Sequence, residues 1–348
     1  MIYTINPSKD ATIYEFDQTR NTGVDQILEL HKHTVTPTVN GIKNSRILMS
    51  FNITKFELDV PSQTVAKANL QLWAANSNKI SKEYQVSFRA LADADAPWGM
   101  GTGLLINDPA VTNGANWTTR DGVTNWTTAG AGVQSPTVNV SKGALDDTDI
   151  NVDITTIYNG QKDDISKSID MLISRLPSEE VSSIDYGHVQ YFSNETKTIY
   201  KPQLNLHWDD SAYTLGTNVV SVDDNIKIVS GTAKYLYSVG ERNKLLLKVI
   251  PMLTLSGYST SSMVTPTTKV LPTTAYYKIT DVISNEDVYD YSLTSTKISC
   301  DAGGSFINLW TDTLIANREY SVSVKVIDRG YSGRIEYFND VYNFRVEG

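Results

Sequence analysis

The octapeptide YQVSFRAL, residues 84–91, alternates apolar and polar side chains with a period of two. Successive side chains of a β-strand point to opposite faces, so this pattern is typical of a strand with one buried face. The same alternation recurs along the chain in runs rich in Val, Ile, Tyr and Thr. Further examples are ATIYEF (11–16), RILMSFNI (46–53), ANLQLWAA (68–75), QLNLHW (203–208) and YSVSVKVI (320–327).

These runs predict an all-β protein. Clusters of Asn, Gly, Asp, Ser and Pro separate them, as turns separate strands. The chain holds roughly fourteen to sixteen candidate strands, which is the pattern of β-sandwiches or barrels. The best helix candidates, SKGALDDTD (141–149) and DITTIYNGQKDD (153–164), are short.

Composition excludes several classes of function. The net charge of -9 and the sequence pI near 5.0 argue against nucleic acid as a partner, because nucleic-acid binders carry basic surfaces. No run approaches the ~18 consecutive apolar residues of a membrane helix, and MIYTINPSKD (1–10) lacks the pattern of a secretion signal. The single Cys300 cannot form an internal disulfide, and we expect it to be a structural thiol.

Two breaks in the alternation divide the chain. The acidic stretch DDSAYTLGTN (209–218) ends the first set of strands, and a Ser/Thr/Pro-rich stretch (255–274) interrupts the second. The second stretch suits either a linker or an ordered arm. We therefore predict a large domain at 1–210, a small β unit at 211–275 and a further β domain at 276–348.

A set of short motifs in the first domain occurs in the order of a known family. The motifs are DATIY (10–14), NTG (21–23), ILEL (27–30), SRILMSFN (45–52), ANLQLW (68–73), WGMG (98–101), GANW (114–117), DGVTNW (121–126), YFSNE (191–195) and YKPQLNL (200–206). They resemble the DNRLRE-type β-sandwich, a carbohydrate-binding-module-like family found in secreted polysaccharide-associated proteins and in structural proteins of tailed phages. The resemblance implies an antiparallel, jelly-roll-like sandwich that is not generally a hydrolase.

The remaining strands resemble a second group. From about residue 212 onward, the chain is similar to the small Ig-like β units of large-phage virion proteins, which implies one or two such domains. Residues 301–304, DAGG, predict a hairpin turn there, because glycine accepts a positive φ.

Three tryptophans are the candidate contact residues. Trp98, Trp117 and Trp126 lie in a Gly-rich segment with little strand pattern. Exposed indoles on a loop stack on a sugar ring or on a partner protein at low entropic cost. The alternative is that they cap the end of the sandwich core, and the sequence leaves both interpretations open.

Histidines and aspartates give weaker site predictions. His31 and His33 share one side of a predicted strand but lack a third metal ligand nearby, so we expect solvated histidines. Asp93 and Asp95 suit loop capping better than a calcium site, because too few oxygen ligands surround them. No cofactor or metal is predicted.

Glu195 lies among hydroxyl and aromatic side chains, as a catalytic carboxylate would. The neighbouring Ser193 has no glycine-flanked elbow, and no P-loop, GxGxxG or HExxH motif is present. We therefore interpret Glu195 as a turn carboxylate that caps backbone N–H groups or pairs with Arg46 or a nearby lysine. The chain is predicted not to be an enzyme.

Two functional hypotheses follow. The first is a structural protein of a tailed-phage virion, in the neck, collar or tail. It would form a homo-oligomer around a symmetry axis and contact other virion subunits. The alternative is an extracellular carbohydrate-binding module of a secreted or cell-surface protein, which would bind a surface glycan.

Overall fold

The computed structural model describes all residues except 35–41, 62, 79–81, 144, 215–218, 220–225, 233, 252–268 and 328–333. The all-β prediction is confirmed, since three short helices accompany 21 strands in the described part of the chain. The helices are α1 (Thr54–Asp59), α2 (Thr155–Gln161) and α3 (Pro177–Glu180). Of the two predicted helices, 153–164 contains α2, whereas the described residues of 141–149 hold none.

The chain divides into two compact units, Thr4–Leu206 and a second formed by Met1–Tyr3 with His207–Gly348. The strands of the first part of the chain are β1 (Ile2–Ile5), β2 (Lys9–Tyr14), β3 (Ile27–Thr34), β4 (Ile42–Asn52), β5 (Lys67–Leu72), β6 (Ala74–Asn78), β7 (Tyr84–Leu91), β8 (Val133–Lys142), β9 (Ile150–Asp153), β10 (Ser168–Arg175), β11 (Gly187–Phe192) and β12 (Gln203–His207). They form a four-stranded sheet, β1-β12-β5-β9, and an eight-stranded sheet, β6-β11-β3-β4-β10-β7-β8, to which β2 adds by pairing with β4.

The centre of the eight-stranded sheet is buried on both faces. Leu48 and Met49 are neighbours on β4, point to opposite faces and are both fully buried. Strand β10, which pairs with β4 from Ser168↔Asn52 to Ile173↔Ile47, is buried along nearly its whole length. Simple alternation predicted one buried face, but the three consecutive apolar residues Ile47, Leu48 and Met49 of β4 reflect two.

Residues 92–132, here called the covering segment, account for the second buried face. The segment connects β7 to β8 without a named helix or strand of its own. It contributes Trp98, Ala115, Trp117, Trp126 and Ala131 to a buried cluster with side chains of β2, β4, β7 and β10. The cluster lies between the sheet and the covering segment.

The second unit contains strands β13 (Ile226–Ser230), β14 (Leu236–Ser238), β15 (Arg242–Pro251), β16 (Ala275–Asp281), β17 (Asp287–Tyr289), β18 (Ser299–Asp301), β19 (Gly304–Trp310), β20 (Arg318–Ile327) and β21 (Ile335–Glu347). They form a four-stranded sheet, β13-β15-β19-β18, and a five-stranded sheet, β14-β21-β20-β16-β17. One apolar cluster draws on strands of both sheets. Each sheet combines strands from 211–275 with strands from 276–348, so the two ranges build one unit.

Two local predictions in this unit have structural outcomes. The DAGG hairpin is confirmed, because Asp301 pairs with Gly304 and Gly304 has a φ of 117°. Most of the stretch at 255–274, residues 255–268, lies outside the described residues. At its end, Lys269 bridges to Val249 and Val270 bridges to Val219.

Candidate functional site

The three candidate tryptophans are part of the core. Trp98, Trp117 and Trp126 are 3%, 6% and 5% exposed. A stacking platform needs an open ring face, and these rings are covered by the sheet and by the covering segment. The structure therefore corrects the prediction of a ligand or partner contact: the indoles cap the sheet, as the alternative interpretation held.

Polar partners fix each indole in place. The Trp98 Nε1–H donates to Asp170 Oδ1 at 3.1 Å, and the Trp126 Nε1–H donates to the Asn116 carbonyl at 2.7 Å. The Arg46 guanidinium lies 4.8 Å from the centre of the Trp117 ring, within the range of a cation–π contact. Each ring is thus anchored at its polar edge or its face.

Asp95 and Asp93 have structural roles in the covering segment. Asp95 is fully buried and accepts hydrogen bonds from the Thr127 backbone and hydroxyl and from the Gly132 N–H. Asp93 is exposed and accepts from the Gln134 side chain at 2.6 Å. For Asp95 this is the loop capping expected from the sequence.

Glu195 lies beside the carboxyl group of Asp10 and not beside Arg46. Arg46 instead makes a two-point contact with Glu180, at 2.9 and 2.8 Å. Burial, followed by the nearby charge of Glu195, holds the pKa of Asp10 well above its usual range. The predicted Arg46–Glu195 pair is therefore wrong: Arg46 lies on β4 with its side chain towards the covering segment, where it also donates to the Gly130 carbonyl.

The structure supplies a third histidine that sequence spacing did not reveal. His188 on β11 pairs directly with His31 on β3, and their ring centres lie 5.6 Å apart. The His33 ring stacks with that of His31 at 5.9 Å between ring centres, and His33 contacts Asp185. Burial and the neighbouring His188 lower the pKa of His31 to about 4.

This histidine group does not form a metal centre. Among the residues that the structure describes, no three His, Cys, Asp or Glu side chains are placed to hold a metal ion. Cys300 is buried, and its burial raises the pKa of the thiol, which disfavours the reactive thiolate.

Exposed apolar side chains concentrate in the second unit. More than half of the exposed large apolar residues of the described chain lie in His207–Gly348, which is the shorter part. Four of them belong to the β16–β17 hairpin and the segment just after it, and β17 is a terminal strand of its sheet as described. We call these residues the apolar tip: Val282 (47% exposed), Ile283 (71%), Val288 (36%) and Leu293 (62%).

Hydrogen bonds and an ion pair of Asp281 hold the turn of the apolar tip. Asp281 accepts hydrogen bonds from the backbone N–H groups of Ile283 and Ser284, at 2.9 and 3.1 Å, and it also pairs with Arg318. Burial raises the pKa of Asp281. The hydrogen bonds from Arg318 and from the two backbone N–H groups outweigh burial and hold the pKa below its ordinary value. Exposed apolar side chains on an ordered edge are a feature of protein-interaction sites.

A second surface feature lies in the first unit. The Phe192 and Tyr200 rings stack with centres 5.8 Å apart, and Trp73 lies 6.1 Å from Tyr200. All three side chains are half-buried. This aromatic cluster, and not the three predicted tryptophans, presents partly open rings near the end of β11.

Comparisons with known proteins give no family. No known protein family and no curated protein matches this sequence. Among solved structures, a β-1,2-glucanase from Parabacteroides distasonis aligns with 97% of this chain at 10% identity and a TM-score of 0.23. The chain spans 37% of that protein's length, and a likeness at this level carries no argument about function. No helix in the described ranges is long and apolar enough to cross a membrane.

Proposed function

We propose that this chain is a non-enzymatic structural protein of a tailed-phage virion, located in the neck, collar or tail and assembled through protein–protein contacts. The observation that carries the proposal is the apolar tip, an ordered and exposed apolar edge in the second unit. In water such an edge is stabilised by contact with another subunit, since burial of apolar area provides the main favourable term in association. A second copy of this chain is the partner we propose for it.

The motif order supports the virion context. The first unit carries the succession of motifs that resembles the sandwich found in phage structural proteins, and the sequence of the second resembles appended Ig-like units. The buried tryptophans fit a scaffolding role, because they pack on one face of the sheet and contribute to its core.

Immunoelectron microscopy of phage particles tests the location. An antibody raised against the purified chain is expected to label the neck or tail, and mass spectrometry of gradient-purified particles should detect the chain. Particles that lack the chain, while infected cultures contain it free or on cell surfaces, would overturn the proposal.

The aromatic cluster favours glycan binding as a second candidate function. Partly open rings that stack with one another suit the apolar face of a sugar. Polar side chains lie on the same strand pair, where Gln190 Nε2 donates to Glu29 at 2.6 Å. A glycan array probed with the full chain and with Tyr200→Ala tests this. Binding that the variant loses, while Tyr235→Ala in the other unit retains it, would support the glycan function.

A further inference from the structure

A cavity of about 740 Å³, lined mostly by polar residues, lies within the first unit, apart from both surfaces described above. Its lining comes from β2, β4 and β10, from the start of the covering segment and from the segment that connects α2 to β10. Clefts of about 300–1,000 Å³ are typical of small-molecule sites. The cavity therefore has the size of a ligand site.

Strand register builds the cavity floor. Lys9 on β2 and Asp170 on β10 both pair with Ser50 on β4, so the three residues form one row across neighbouring strands. Residues in such a row point to the same face of the sheet. Ser50 and Asp170 are 1% and 2% exposed, which places them at the bottom of the cavity.

Two members of the row are held by protein partners. Asp170 accepts from Trp98 Nε1–H and from the Ser168 hydroxyl, so both of its oxygens are engaged. The Lys9 ammonium donates to the Trp98 carbonyl at 2.9 Å and lies 4.6 Å from the ring centre. One of its three N–H groups is used by that bond, so others remain to donate.

Ser50 differs from its neighbours. Its hydroxyl is buried and has no hydrogen-bond partner among the described residues. A buried hydroxyl without a partner costs about 1–3 kcal/mol, and a ligand oxygen in the cavity would remove that cost. Ser50 is one of the residues that line the cavity.

The rim determines the class of ligand. Asp93, Asp163 and Asp164 are exposed carboxylates around the opening. Asp163 pairs with Lys162, but the three carboxylates outnumber that cation. The rim therefore disfavours phosphates and other anions, whereas carboxylate oxygens accept hydrogen bonds from hydroxyl groups. A metal ion at the floor would lie beside the Lys9 ammonium and would find both Asp170 oxygens already engaged.

We propose that this cavity is a binding site for a small neutral polyhydroxylated molecule, such as a monosaccharide or a polyol. Ser50 and Lys9 hydrogen-bond the ligand at the floor, and the rim carboxylates accept from its hydroxyl groups. The inference does not depend on the assembly proposal, because none of these residues belongs to the apolar tip.

Saturation-transfer NMR and calorimetry on the full chain test the site. The probes are glucose, galactose, N-acetylglucosamine, myo-inositol and glycerol, with inorganic phosphate and calcium chloride as charged comparisons. Saturable binding of at least one neutral probe is expected. Ser50→Ala should weaken it about five- to tenfold, the effect of one lost hydrogen bond.

The matched control is Ser77→Ala, at an exposed serine on β6, which should bind as the unchanged chain does. Lys9→Met provides a second floor variant, and thermal unfolding verifies that each variant is folded. The proposal is overturned if no neutral probe binds saturably, if only phosphate or calcium binds, or if folded floor variants bind normally.

Discussion

Arg46 connects three parts of the first unit. From β4 it contacts the carboxylate of Glu180, the carbonyl of Gly130 and the ring of Trp117. Glu180 is only 5% exposed, and this guanidinium is its ion-pair partner. The planar fork of arginine suits a two-point contact of this kind, which lysine cannot reproduce.

Removal of the Arg46 charge should therefore be costly. Arg46→Met leaves the buried Glu180 carboxylate unpaired, and we expect the free energy of unfolding to fall by about 3 kcal/mol. Urea denaturation followed by tryptophan fluorescence measures it. The control is Arg345→Met, at an exposed arginine that faces Glu347, where the change should stay below about 1 kcal/mol. Equal effects of the two substitutions would contradict this role of Arg46.

Asp10 should make the free energy of unfolding depend on pH. Its pKa in the folded chain lies well above the ordinary value of 3.8, because of burial and then of Glu195. The folded state thus holds the proton more tightly than the unfolded state. At pH values below the ordinary pKa, the folded chain has the full stability that this proton contributes. That stability is lost as the pH rises through the pKa that Asp10 has in the folded chain.

Asp10→Asn should remove this dependence. The amide oxygen keeps the hydrogen bond from the Asn194 N–H, whereas no charge develops at high pH. We expect the variant to gain stability relative to the unchanged chain between pH 4 and pH 8. Urea midpoints of both proteins across that range measure the difference, and parallel pH profiles would contradict it.

Sequence reasoning at this scale succeeded where neighbours are local. The capping role of Asp95 follows from a turn-rich segment. The expectation of a solvated histidine is wrong for His31, which is half-buried beside His33 and His188. His188 stands beside His31 only because β11 pairs with β3 in one register. Glu180 reaches Arg46 from a short helix 134 residues away, so spacing along the chain offers no signal for either contact.

Among the elements, the covering segment departs most from its sequence pattern. It has no period of two, yet it shields one face of the sheet and buries three indoles. Asn21, a buried residue that precedes the segment in sequence, holds it in place. Its side-chain amide donates to the carbonyls of Met100 and Ala115, and its side-chain oxygen accepts from the Gly103 N–H. Such packing depends on tertiary contacts, which explains why the burial of the tryptophans remained an open alternative in the sequence.

Gly101 is one of several positions of this element that require glycine. Gly101 has a φ of 76°, and a Cβ there would lie 2.3 Å from Asn21 Oδ1. Gly101→Ala should therefore loosen the segment and speed amide hydrogen exchange across 92–132. Gly99→Ala is the control, since its added Cβ would meet nothing closer than 3.5 Å. Similar exchange in both variants would contradict this account of the packing.

For the whole molecule, strand pattern predicted the fold class but not the pairing between distant strands. The alternating runs correspond to most of the observed strands. The acidic stretch that begins at Asp209 lies close to the boundary between the two units at His207. The range 211–275 was predicted as a separate unit, yet β13 and β15 share a sheet with β18 and β19. Non-local pairing of this kind is set by the complete core, which no single segment encodes.

Assembly through the apolar tip is the central claim for the molecule. Ile283 and Leu293 are its two most exposed members, and a charge at these positions opposes burial in a subunit interface. The substitutions should leave the fold intact, because both side chains lie mostly in solvent. Ile165→Asp is the matched control, at a fully exposed isoleucine of the first unit.

The most direct test is the molar mass of the full chain in solution, measured by light scattering after size-exclusion chromatography over a range of concentrations. The account predicts a multiple of the 38.5 kDa chain mass for the unchanged protein and for Ile165→Asp. It predicts a shift towards 38.5 kDa for the double variant Ile283→Asp/Leu293→Asp. A monomer at every concentration, or an oligomer that the double variant leaves unchanged, would contradict assembly through this surface.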